Sequence, residues 1–575
     1  MTTLFIIGTE PQNIAENSAQ VDVFDRIITL KDVDSLIDKI YSDRLAPRLK
    51  AFAYETSLSV VCFNGNNISG ISPDNLDRIL KRFLPALNIT VVQSIEFLND
   101  KDFMDSIRNN KVIGNDTILR INHWMYHQHD KPTGDSNDTC YTNLYSLMSH
   151  LTTSNSFAKN EPIPRIIRNI NFREYFNDIY GQYDSDTVME KHFIDTLSTW
   201  NFCAIKFTTK ELILCAFFLL RSLSKRANVL ISDNKLLLLL ITIEASYHQI
   251  NKFHNFRHAV DVMQATWQIC SNLGGNGSID LSPLTVLLLS MSAIGHDIGH
   301  PGTNNQLLCQ HESFLATNFD NKSVLENFHN TLFQNLLVDH WPQILKAARY
   351  KTVQSGEINV TDIPFVNLKK SNNINENDDN DKKMTINVIT NAILATDMAM
   401  HAKYVDKLDE LLKVPQHLLP LPTLIAVIIK AADISNVTRP LSISARWAFL
   451  ITLEFNDCSL LDKYASDVKE DGTSSKTACY NSNGKQRVTD PEYYKRNSPE
   501  YIVDLVLNRE EEDDEKYLKR LLQSYPNIPQ GQIFFINTFA GKFFGRLGEL
   551  FPELQFLSNN VNSNKSYWES MVAKN

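Results

Sequence analysis

A chain of 575 residues is too long for one ordinary hydrophobic core, so its length predicts two or more domains. Its 43% hydrophobic and 21% charged residues are typical of a globular protein, and a formal net charge of -10 at pH 7 excludes a general nucleic-acid binder. The longest apolar runs fall short of the roughly 18 residues that cross a bilayer, so no membrane span is expected.

The cysteines and the N-terminus indicate the compartment. The eight cysteines are scattered, without a CxxC pair or a dense framework, which is typical of free thiols in a reducing compartment. The first residues, "MTTLFIIGTEPQN", carry no basic segment before their short apolar run, which predicts a β-strand and not a signal peptide. We therefore expect a cytoplasmic protein without a membrane partner, and a nuclear share stays open.

Residues 1–115 alternate between two kinds of pattern. The runs "TLFIIG", "RIITL", "SLSVVCF" and "NITVVQS" are short and β-branched, and helical patterns such as "DVDSLIDKIYSDR" lie between them. This alternation predicts a small α/β domain with a mostly parallel sheet. The domain resembles the receiver domain of response regulators, but the segments that would hold its acidic cluster and phosphorylatable Asp read "GTEPQN" and "CFNGNN". We expect no phosphotransfer and favour a packing role over a docking one.

Residues 116–187 give mixed signals and are predicted to be a linker with helices. The stretch "INHWMYHQHDKPTGDSNDT" contains His123, His127 and His129. Because no acidic residues converge on these histidines, a surface loop is favoured over a metal site.

Residues 188–575 change to long helical patterns, such as "KELILCAFFLLRSL" and "NKLLLLLITIEASYH", with almost no β-type alternation. This predicts an all-α C-terminal domain, and the whole chain is then an α+β two-domain protein. Two polar, low-complexity insertions are predicted to be disordered, near 371–383 and 465–500.

The stretch "FHNFRHAVDVMQ" places His254 and His258 four residues apart at the start of a predicted helix. Residues four apart share a helical face, so both rings could meet one ion or one substrate. Such a pair is more often a hydrogen-bonded core or surface pair than a ligand set. Its chemistry therefore depends on partners elsewhere in the chain.

Two apolar helices each place carboxylates in a buried segment. "SPLTVLLLSMSAIGHDIGHPGTNN" ends in His296 and Asp297, and "LIAVIIKAADISN" contains Asp433. Burying an ionisable residue is costly unless something pairs with it, and a metal ion would do so. An isolated HD dipeptide carries little information, and an isolated buried Asp is more often a hydrogen-bond hub. The three stretches in this order within one helical domain are much harder to explain by accident.

Together, His258, His296, Asp297 and Asp433 offer two imidazoles and two carboxylates. This mixture suits two divalent cations, zinc at one position and magnesium or manganese at a second. Two cations bridged by Asp297 could polarise a phosphate group and hold a hydroxide between them, which predicts phosphate-ester hydrolysis. His254 is then free to act as the general acid that protonates the leaving oxygen.

The motifs "HNxxHA", "HDxxHPGxxN", "TDM" and "AADISN" resemble those of the class I cyclic nucleotide phosphodiesterases, from about Lys210 to the C-terminus. Within that family the similarity is greatest to the fungal high-affinity cyclic AMP enzymes, through "SYHQINKFHNFRHA" and "GQIFFINTFAGKFF". The resemblance implies an all-α HD-type phosphodiesterase catalytic domain and hydrolysis of 3′,5′-cyclic AMP to 5′-AMP, which ends a cyclic AMP signal.

The resemblance also implies residue roles, and these rest on it alone. His254 corresponds to the proton donor, and the metal ligands correspond to His258, His296, Asp297 and Asp433. His300 and Glu326 correspond to residues that support metal-bound waters and the general acid, and Asn305 closes the HD loop. Thr396, Asp397 and Met398 correspond to the rim of the metal pocket. The substrate-binding set corresponds to Gln532, Phe535, Ile451, Asn436 and Met398. Without the family, Phe535 and Ile451 would be interpreted as core residues and Gln532 as a helix cap.

Three alternatives remain open at this point. One is another HD-type nucleotide phosphohydrolase, although "GQIFFINTF" suits a purine clamp and is not expected there. Another is a catalytically weak cyclic nucleotide sensor that signals through the N-terminal domain, although the acid and all four ligand positions are intact. The third is a helical scaffold, in which Asp297 and Asp433 would lack compensation.

Overall fold

The computed structural model describes residues 2–8, 23–46, 58–63, 70–85, 88–115, 118, 121, 163–275, 279, 281–351, 385–415, 419–470, 495–509 and 512–574. The predicted insertion at 371–383 and the cluster of His123, His127 and His129 lie outside these residues. So does the middle of the second predicted insertion, because a helix continues to Glu470 and the description resumes at residue 495.

The N-terminal region is a small α/β structure, as predicted. Its four strands are all parallel and lie in the order β2-β1-β3-β4, with Leu4 opposite both Ile27 and Val60. The strands are β1 Thr2–Ile7, β2 Arg26–Leu30, β3 Leu58–Phe63 and β4 Asn88–Val92. Their apolar, largely β-branched sequences suit a sheet that is covered on both faces.

The three helices of this region are α1 Val33–Arg44, α2 Pro73–Phe83 and α3 Lys101–Asn115. The first two begin where sequence chemistry places them, because Asp32 and Ser72 accept hydrogen bonds from backbone N–H groups of the first turn. Both helices share a core with one sheet face and with the helical region that follows, whereas α3 covers the opposite face.

The remainder of the described chain is predominantly helical, as predicted. Its helices are α4 Arg165–Arg168, α5 Asn177–Tyr180, α6 Asp186–Leu197, α7 Thr209–Arg226, α8 Asp233–Ser246, α9 Phe256–Gly275, α10 Pro283–Gly295, α11 Asn305–Gln310, α12 Phe314–Asn318, α13 Val324–His340, α14 Pro342–Ala347, α15 Val388–Leu394, α16 His401–Leu411, α17 Leu421–Asp433, α18 Leu441–Glu470, α19 Pro499–Val506, α20 Asp514–Ser524, α21 Ile528–Phe535, α22 Gly541–Leu550 and α23 Gln555–Lys574. Two short antiparallel strands, β5 Arg349–Lys351 and β6 Thr385–Asn387, were not predicted.

Four helices, α7, α8, α10 and α17, are buried around most of their circumference. This is expected of helices that are apolar on every side. The first of them starts at a capping box, in which Thr208 and Glu211 satisfy each other's backbone N–H groups. Among the described helices, none combines the length and the apolar character needed to cross a membrane.

Candidate active site

The four predicted metal ligands lie at the ends of three helices that pack against one another. His258 lies in the first turn of α9, and His296 is the residue that caps the C-terminus of α10, with Asp297 directly after it. Asp433 is the last residue of α17. The prediction that α10 delivers a buried His-Asp pair at its end is therefore confirmed by its bounds.

The ligand atoms form a compact cluster. His296 Nε2 lies 3.1 Å from Asp297 Oδ2 and 3.3 Å from Asp433 Oδ1. His258 Nε2 lies 3.3 Å from the same Asp433 oxygen and 3.7 Å from Asp297 Oδ2. None of the four side chains is more than 17% exposed. Ligand atoms about 2.1 Å from one ion lie roughly 3 to 3.4 Å apart in tetrahedral or octahedral geometry, so the three separations that involve His296 or Asp433 fit a bound cation, and the fourth, 3.7 Å, is slightly longer.

The tautomer of His296 also suits cation binding. His296 Nδ1 donates to the carbonyl of Ala293 at 2.8 Å, which leaves Nε2 as the ring atom that faces the carboxylates. That Nε2 is buried and has no hydrogen-bond partner among the described residues. A ligating histidine whose other nitrogen is fixed by a backbone carbonyl is the usual arrangement at metal sites.

The imidazoles and carboxylates of the cluster shift one another's pKa values. Burial works to lower the pKa of His296, but Asp297 and Asp433 raise that pKa well above its ordinary value. Burial works to raise the pKa of both carboxyls, and the adjacent imidazoles hold each well below its ordinary value. Both carboxylates are therefore ionised at neutral pH, the state in which they bind a cation.

His329 belongs to this cluster and was missed in the sequence. Its Nδ1 donates to the carbonyl of Ile298 at 2.7 Å, and its buried Nε2 lies 3.7 Å from Asp297 Oδ1. The available signal was its position three residues after Glu326 in "ENFHN", which places both on one face of α13.

His254 differs from its predicted setting. The prediction that His254 and His258 lie in the same helix is wrong, because α9 begins at Phe256. The cause is Asn255, whose side chain accepts a hydrogen bond from the N–H of Arg257 at 2.9 Å and so acts as a helix cap. The two imidazole rings nevertheless lie 5.7 Å apart, nearly perpendicular to each other.

Glu454, also missed in the sequence, controls the charge on His254. Its Oε2 accepts from the backbone N–H groups of Phe253 at 2.9 Å and His254 at 3.2 Å, and its Oε1 is hydrogen-bonded to His254 Nδ1. Burial alone would lower the pKa of His254, but the Glu454 carboxylate raises it to about 9. His254 is therefore protonated at neutral pH. Glu454 in the apolar run "FLITLEF" carried the same signal as Asp433.

His300 stacks on His254, with ring centroids 4.0 Å apart and planes 21° apart. Its Nδ1 accepts from the N–H of Gly302 at 3.1 Å, so a neutral ring carries its proton on Nε2. Burial and the charge on His254 hold the pKa of His300 well below its ordinary value. The neutral ring of His300 thus lies between the protonated ring of His254 and the ring of His329, whose centroid is 5.6 Å from that of His300.

Glu326 and Asn305 form a second acidic position near the cluster. Asn305 Nδ2 donates to both carboxylate oxygens of Glu326, at 3.3 and 3.0 Å, and Asn305 Oδ1 accepts from the N–H of Leu325. Burial and the neighbouring Asp397 raise the pKa of Glu326 to about 7. This carboxyl can therefore exchange a proton near neutral pH.

Thr396, Asp397 and Met398 form a turn that is held by a buried lysine. The ammonium of Lys430 donates to the carbonyls of Asp397 at 3.0 Å, Ala395 at 3.3 Å and Thr396 at 3.5 Å, and lies 3.8 Å from Met398 Sδ. Asp397 also accepts from Ser323 Oγ at 2.6 Å. Lys430 was missed, although a lysine inside the apolar run "LIAVIIKAAD" was visible.

The remaining predicted substrate residues lie on three elements. Gln532 and Phe535 are on α21, which packs against α18, where Ile451 lies, and Asn436 is on the 3-10 turn Ser435–Thr438 after α17. Gln532 is buried, whereas Phe535 and Ile451 are half-buried against the main core. The buried Oδ1 of Asn436 has no hydrogen-bond partner in the described part of the chain.

Known proteins resemble this chain at several levels. The sequence profile described as 3′5′-cyclic nucleotide phosphodiesterase matches residues 253–468. The Saccharomyces cerevisiae "3′,5′-cyclic-nucleotide phosphodiesterase 2" is 42% identical over 589 residues, covering 99% of each chain. The human "High affinity cAMP-specific and IBMX-insensitive 3′,5′-cyclic phosphodiesterase 8A" is 31% identical over 238 residues, 37% of this chain and 25% of the relative.

A solved structure agrees in fold across the whole chain. The crystal structure of yeast caPDE2 in complex with IBMX covers 100% of both chains with a TM-score of 0.70 at 24% sequence identity. At that identity the likeness shows the fold, and it includes the N-terminal region as well as the helices.

Proposed function

The chain belongs to the 3′,5′-cyclic nucleotide phosphodiesterases, and from that premise we propose that it hydrolyses 3′,5′-cyclic AMP to 5′-AMP with two divalent cations. The observation that carries the proposal is the pairing of two units at one place. One unit is the buried cluster of His258, His296 and Asp297, which Asp433 joins through both histidines, and the other is a protonated His254 beside it.

The chemistry of the ligand set supports two different cations. His258 and His296 with Asp297 and Asp433 suit zinc, while Asp297 together with the nearby acidic groups and water suits magnesium or manganese. When bound, such cations stabilise charge on the phosphate and lower the pKa of an attacking water. Asp297 is the side chain that would face both, because its two oxygens point to different histidines.

The side chains of this protein can supply and accept the protons that move during hydrolysis. A water oxygen joins phosphorus, the bond between phosphorus and the 3′ oxygen breaks, and His254 gives its proton to that leaving oxygen. Glu454 keeps His254 charged and oriented through Nδ1, so Nε2 is the donor toward substrate. Glu326, with its pKa near 7 and braced by Asn305, suits the handling of the water proton.

Adenine is the proposed base. Adenine presents a 6-amino donor where guanine presents an oxygen acceptor. The Oδ1 of Asn436, for which the described residues offer no hydrogen-bond partner, is an acceptor, so it favours the amino group. Gln532 would hydrogen-bond the purine edge, Phe535 and Ile451 would hold its faces, and Met398 would lie at the rim with Thr396 and Asp397. The human relative whose name states cyclic AMP specificity agrees with this choice.

The proposed division of the chain is 1–115, 116–187 and 188–575. A receiver-like fold for the first part is supported by its parallel strand order, which is that of the first four strands of a flavodoxin-like sheet. Phosphotransfer is not part of the proposal, because "GTEPQN" has a single Glu in place of an acidic cluster and "CFNGNN" has no Asp to phosphorylate. A cytoplasmic location is likewise proposed from the free cysteines.

The test is a direct assay of both purines. Purified protein with Mg²⁺ is given cyclic AMP and cyclic GMP in parallel, and 5′-nucleotide release is followed by chromatography. We expect preferential 5′-AMP release, and in Asn436→Leu we expect that preference to fall. Equal turnover of both nucleotides, or release of a 3′-nucleotide, would refute the proposal.

A further inference from the structure

The α/β region and the helical region share one hydrophobic core. The rings of Tyr41 on α1 and Phe172 meet edge to face at 5.3 Å, and those of Phe83 on α2 and His340 on α13 meet at 5.7 Å. The hydroxyl of Tyr175 also donates to Asp38 on α1 at 2.8 Å. The contact is therefore well packed and includes specific polar pairs.

A buried ion pair lies in this contact. Arg44, at the end of α1, donates through Nε to Glu244 Oε2 at 2.7 Å and through Nη2 to the Glu244 carbonyl at 3.3 Å. The two side chains are 6% and 0% exposed. Removing one partner of such a pair leaves an uncompensated buried charge, which is far more costly than replacing both.

Glu244 lies where the helical region approaches the metal cluster. It is two residues before the end of α8, and the carbonyl of Ser246 at that end accepts from the N–H of Gly299 at 3.0 Å. The next residue, Tyr247, donates its hydroxyl to the carbonyl of Ile294 at 2.9 Å. These two bonds bracket His296 and Asp297 on either side.

The segment that follows α8 leads to the proposed acid. Within it, Asn251 Nδ2 donates to the carbonyl of His254 at 3.0 Å and to the carbonyl of His300 at 2.7 Å. Movement of the end of α8 would therefore disturb both the segment that carries His254 and the loop that carries the metal ligands.

We infer that Arg44 is a positioning residue for catalysis, through which the N-terminal α/β region fixes the end of α8 and so the loops that carry His254 and His296–His300. The N-terminal region is then an integral part of the catalytic unit. This inference rests on the proposed function for the identity of the positioned groups.

The experiment compares four variants of the full chain: Arg44→Met, Glu244→Gln, the double variant and Lys39→Met. Lys39 lies on the same helix and pairs with Asp43 at the surface, so it is the matched control. The readouts are kcat and KM for cyclic AMP well below the unfolding temperature, and Mn²⁺ affinity measured by electron paramagnetic resonance.

We expect Arg44→Met to lower kcat and Mn²⁺ affinity about tenfold, because small displacements of reacting groups are costly. In the double variant, which leaves no buried charge unpaired, the unfolding temperature should recover while kcat and Mn²⁺ affinity stay lowered about tenfold, because the contact that fixes the end of α8 is still missing. Lys39→Met should match the wild type. A lower unfolding temperature in Arg44→Met with unchanged kcat and Mn²⁺ affinity would overturn the inference.

Failure of the proposed function would look different. The wild type itself would then release no 5′-AMP, while the Mn²⁺ affinities would still support or overturn the role of Arg44. If Arg44→Met does not fold, a double variant with the kcat and Mn²⁺ affinity of the wild type would overturn the inference, since that variant lacks the contact without leaving a buried charge unpaired.

Discussion

At the scale of single residues, the site depends on carboxylates that set the charge of histidines. The carboxylate that contacts His254 belongs to Glu454, which lies 200 residues away in the sequence. The raised pKa of His254 follows mainly from that contact, and the nearby Asp297 and Asp433 raise it further. The charge on His254 is thus set by a helix that the motif around it does not contain.

Glu454→Gln should shift the pH dependence of the reaction. The pKa of His254 is raised from its ordinary 6.5 to about 9, so the acid form persists below pH 9 and is lost as the pH rises through that value. Without the carboxylate, burial lowers the pKa, and kcat/KM should begin to fall at a lower pH. At pH 8 we expect a loss of about tenfold or more.

The measurement is kcat/KM between pH 6 and 10. Glu512→Gln is a suitable control, because Glu512 is also a low-pKa carboxylate but pairs with Arg520 away from the cluster. Superimposable profiles for wild type and Glu454→Gln would show that Glu454 does not set the charge on His254.

Lys430→Met should destabilise the protein through the turn at 395–398. The substitution keeps the length of the side chain but leaves buried carbonyls without their donor. Each such loss costs roughly 1 to 3 kcal/mol, so we expect about 3 kcal/mol less stability in urea unfolding. Lys210→Met is the comparison, since Lys210 pairs with the half-exposed Asp178, and about 1 kcal/mol is expected there. Equal losses of stability in Lys430→Met and Lys210→Met would show that Lys430 does not hold the turn at 395–398.

The sequence revealed residues of this kind unevenly. His258, His296, Asp297 and Asp433 could be chosen because each interrupts an apolar run or a motif. Glu454 and Lys430 also interrupt apolar runs, and His329 lies three residues after Glu326, but nothing in the sequence identified their partners. Which buried charge meets which depends on helix packing, which periodicity does not encode.

At the scale of elements, the site is made by helix ends. The chain leaves α10 at His296 through a tight loop in which Gly299 has a φ of +76°. A Cβ on Gly299 would lie 2.6 Å from Leu332 Cδ1 on α13. Only glycine combines that conformation with that close approach.

Gly299→Ala should therefore be both strained and overpacked. We expect a loss of about 3 kcal/mol in unfolding free energy, together with a lower kcat because the loop carries Asp297 and His300. Gly545→Ala is the matched control in an open position of α22, and there helix propensity predicts a gain of about 0.5 to 1 kcal/mol. A Gly299→Ala variant as stable as the wild type would show that a side chain at this position causes neither backbone strain nor overpacking.

The sequence predicted most helices and strands correctly, but it did not predict where each one begins and ends. The four strands, α1 and the apolar helices α7, α8, α10 and α17 follow directly from period and composition. The start of α9 was misplaced, because the capping by Asn255 competes with a helical pattern that continues through His254. The strands β5 and β6 have three residues each, too few for a period to appear.

At the scale of the whole molecule, the two regions behave as one packing unit. The core continues from the sheet through α1 and α2 into the helical region, and the Arg44–Glu244 pair lies within it. Separate domains were predicted because the two sequence patterns differ. Such patterns predict which residues are buried, but they do not predict whether those residues pack within one region or against the other, so they cannot predict a shared core.

Calorimetric unfolding of the full chain should accordingly give one cooperative transition. Regions that share a core lose most of their stability when either unfolds, so independent transitions are not expected. Lys39→Met should leave the single peak unchanged. Two well-separated peaks, one with the enthalpy of a domain of about 100 residues, would contradict this view.

The most direct test of the site assigns metal binding and proton donation to different residues. It measures divalent metal per chain and the rate of 5′-AMP release for His254→Ala and Asp433→Ala beside the wild type. His254→Ala should keep the metal content of the wild type and lose about 10² to 10⁴ in kcat, because only the acid is gone. Asp433→Ala should lose both metal and activity. Equal loss of metal from the two variants would contradict this division of roles.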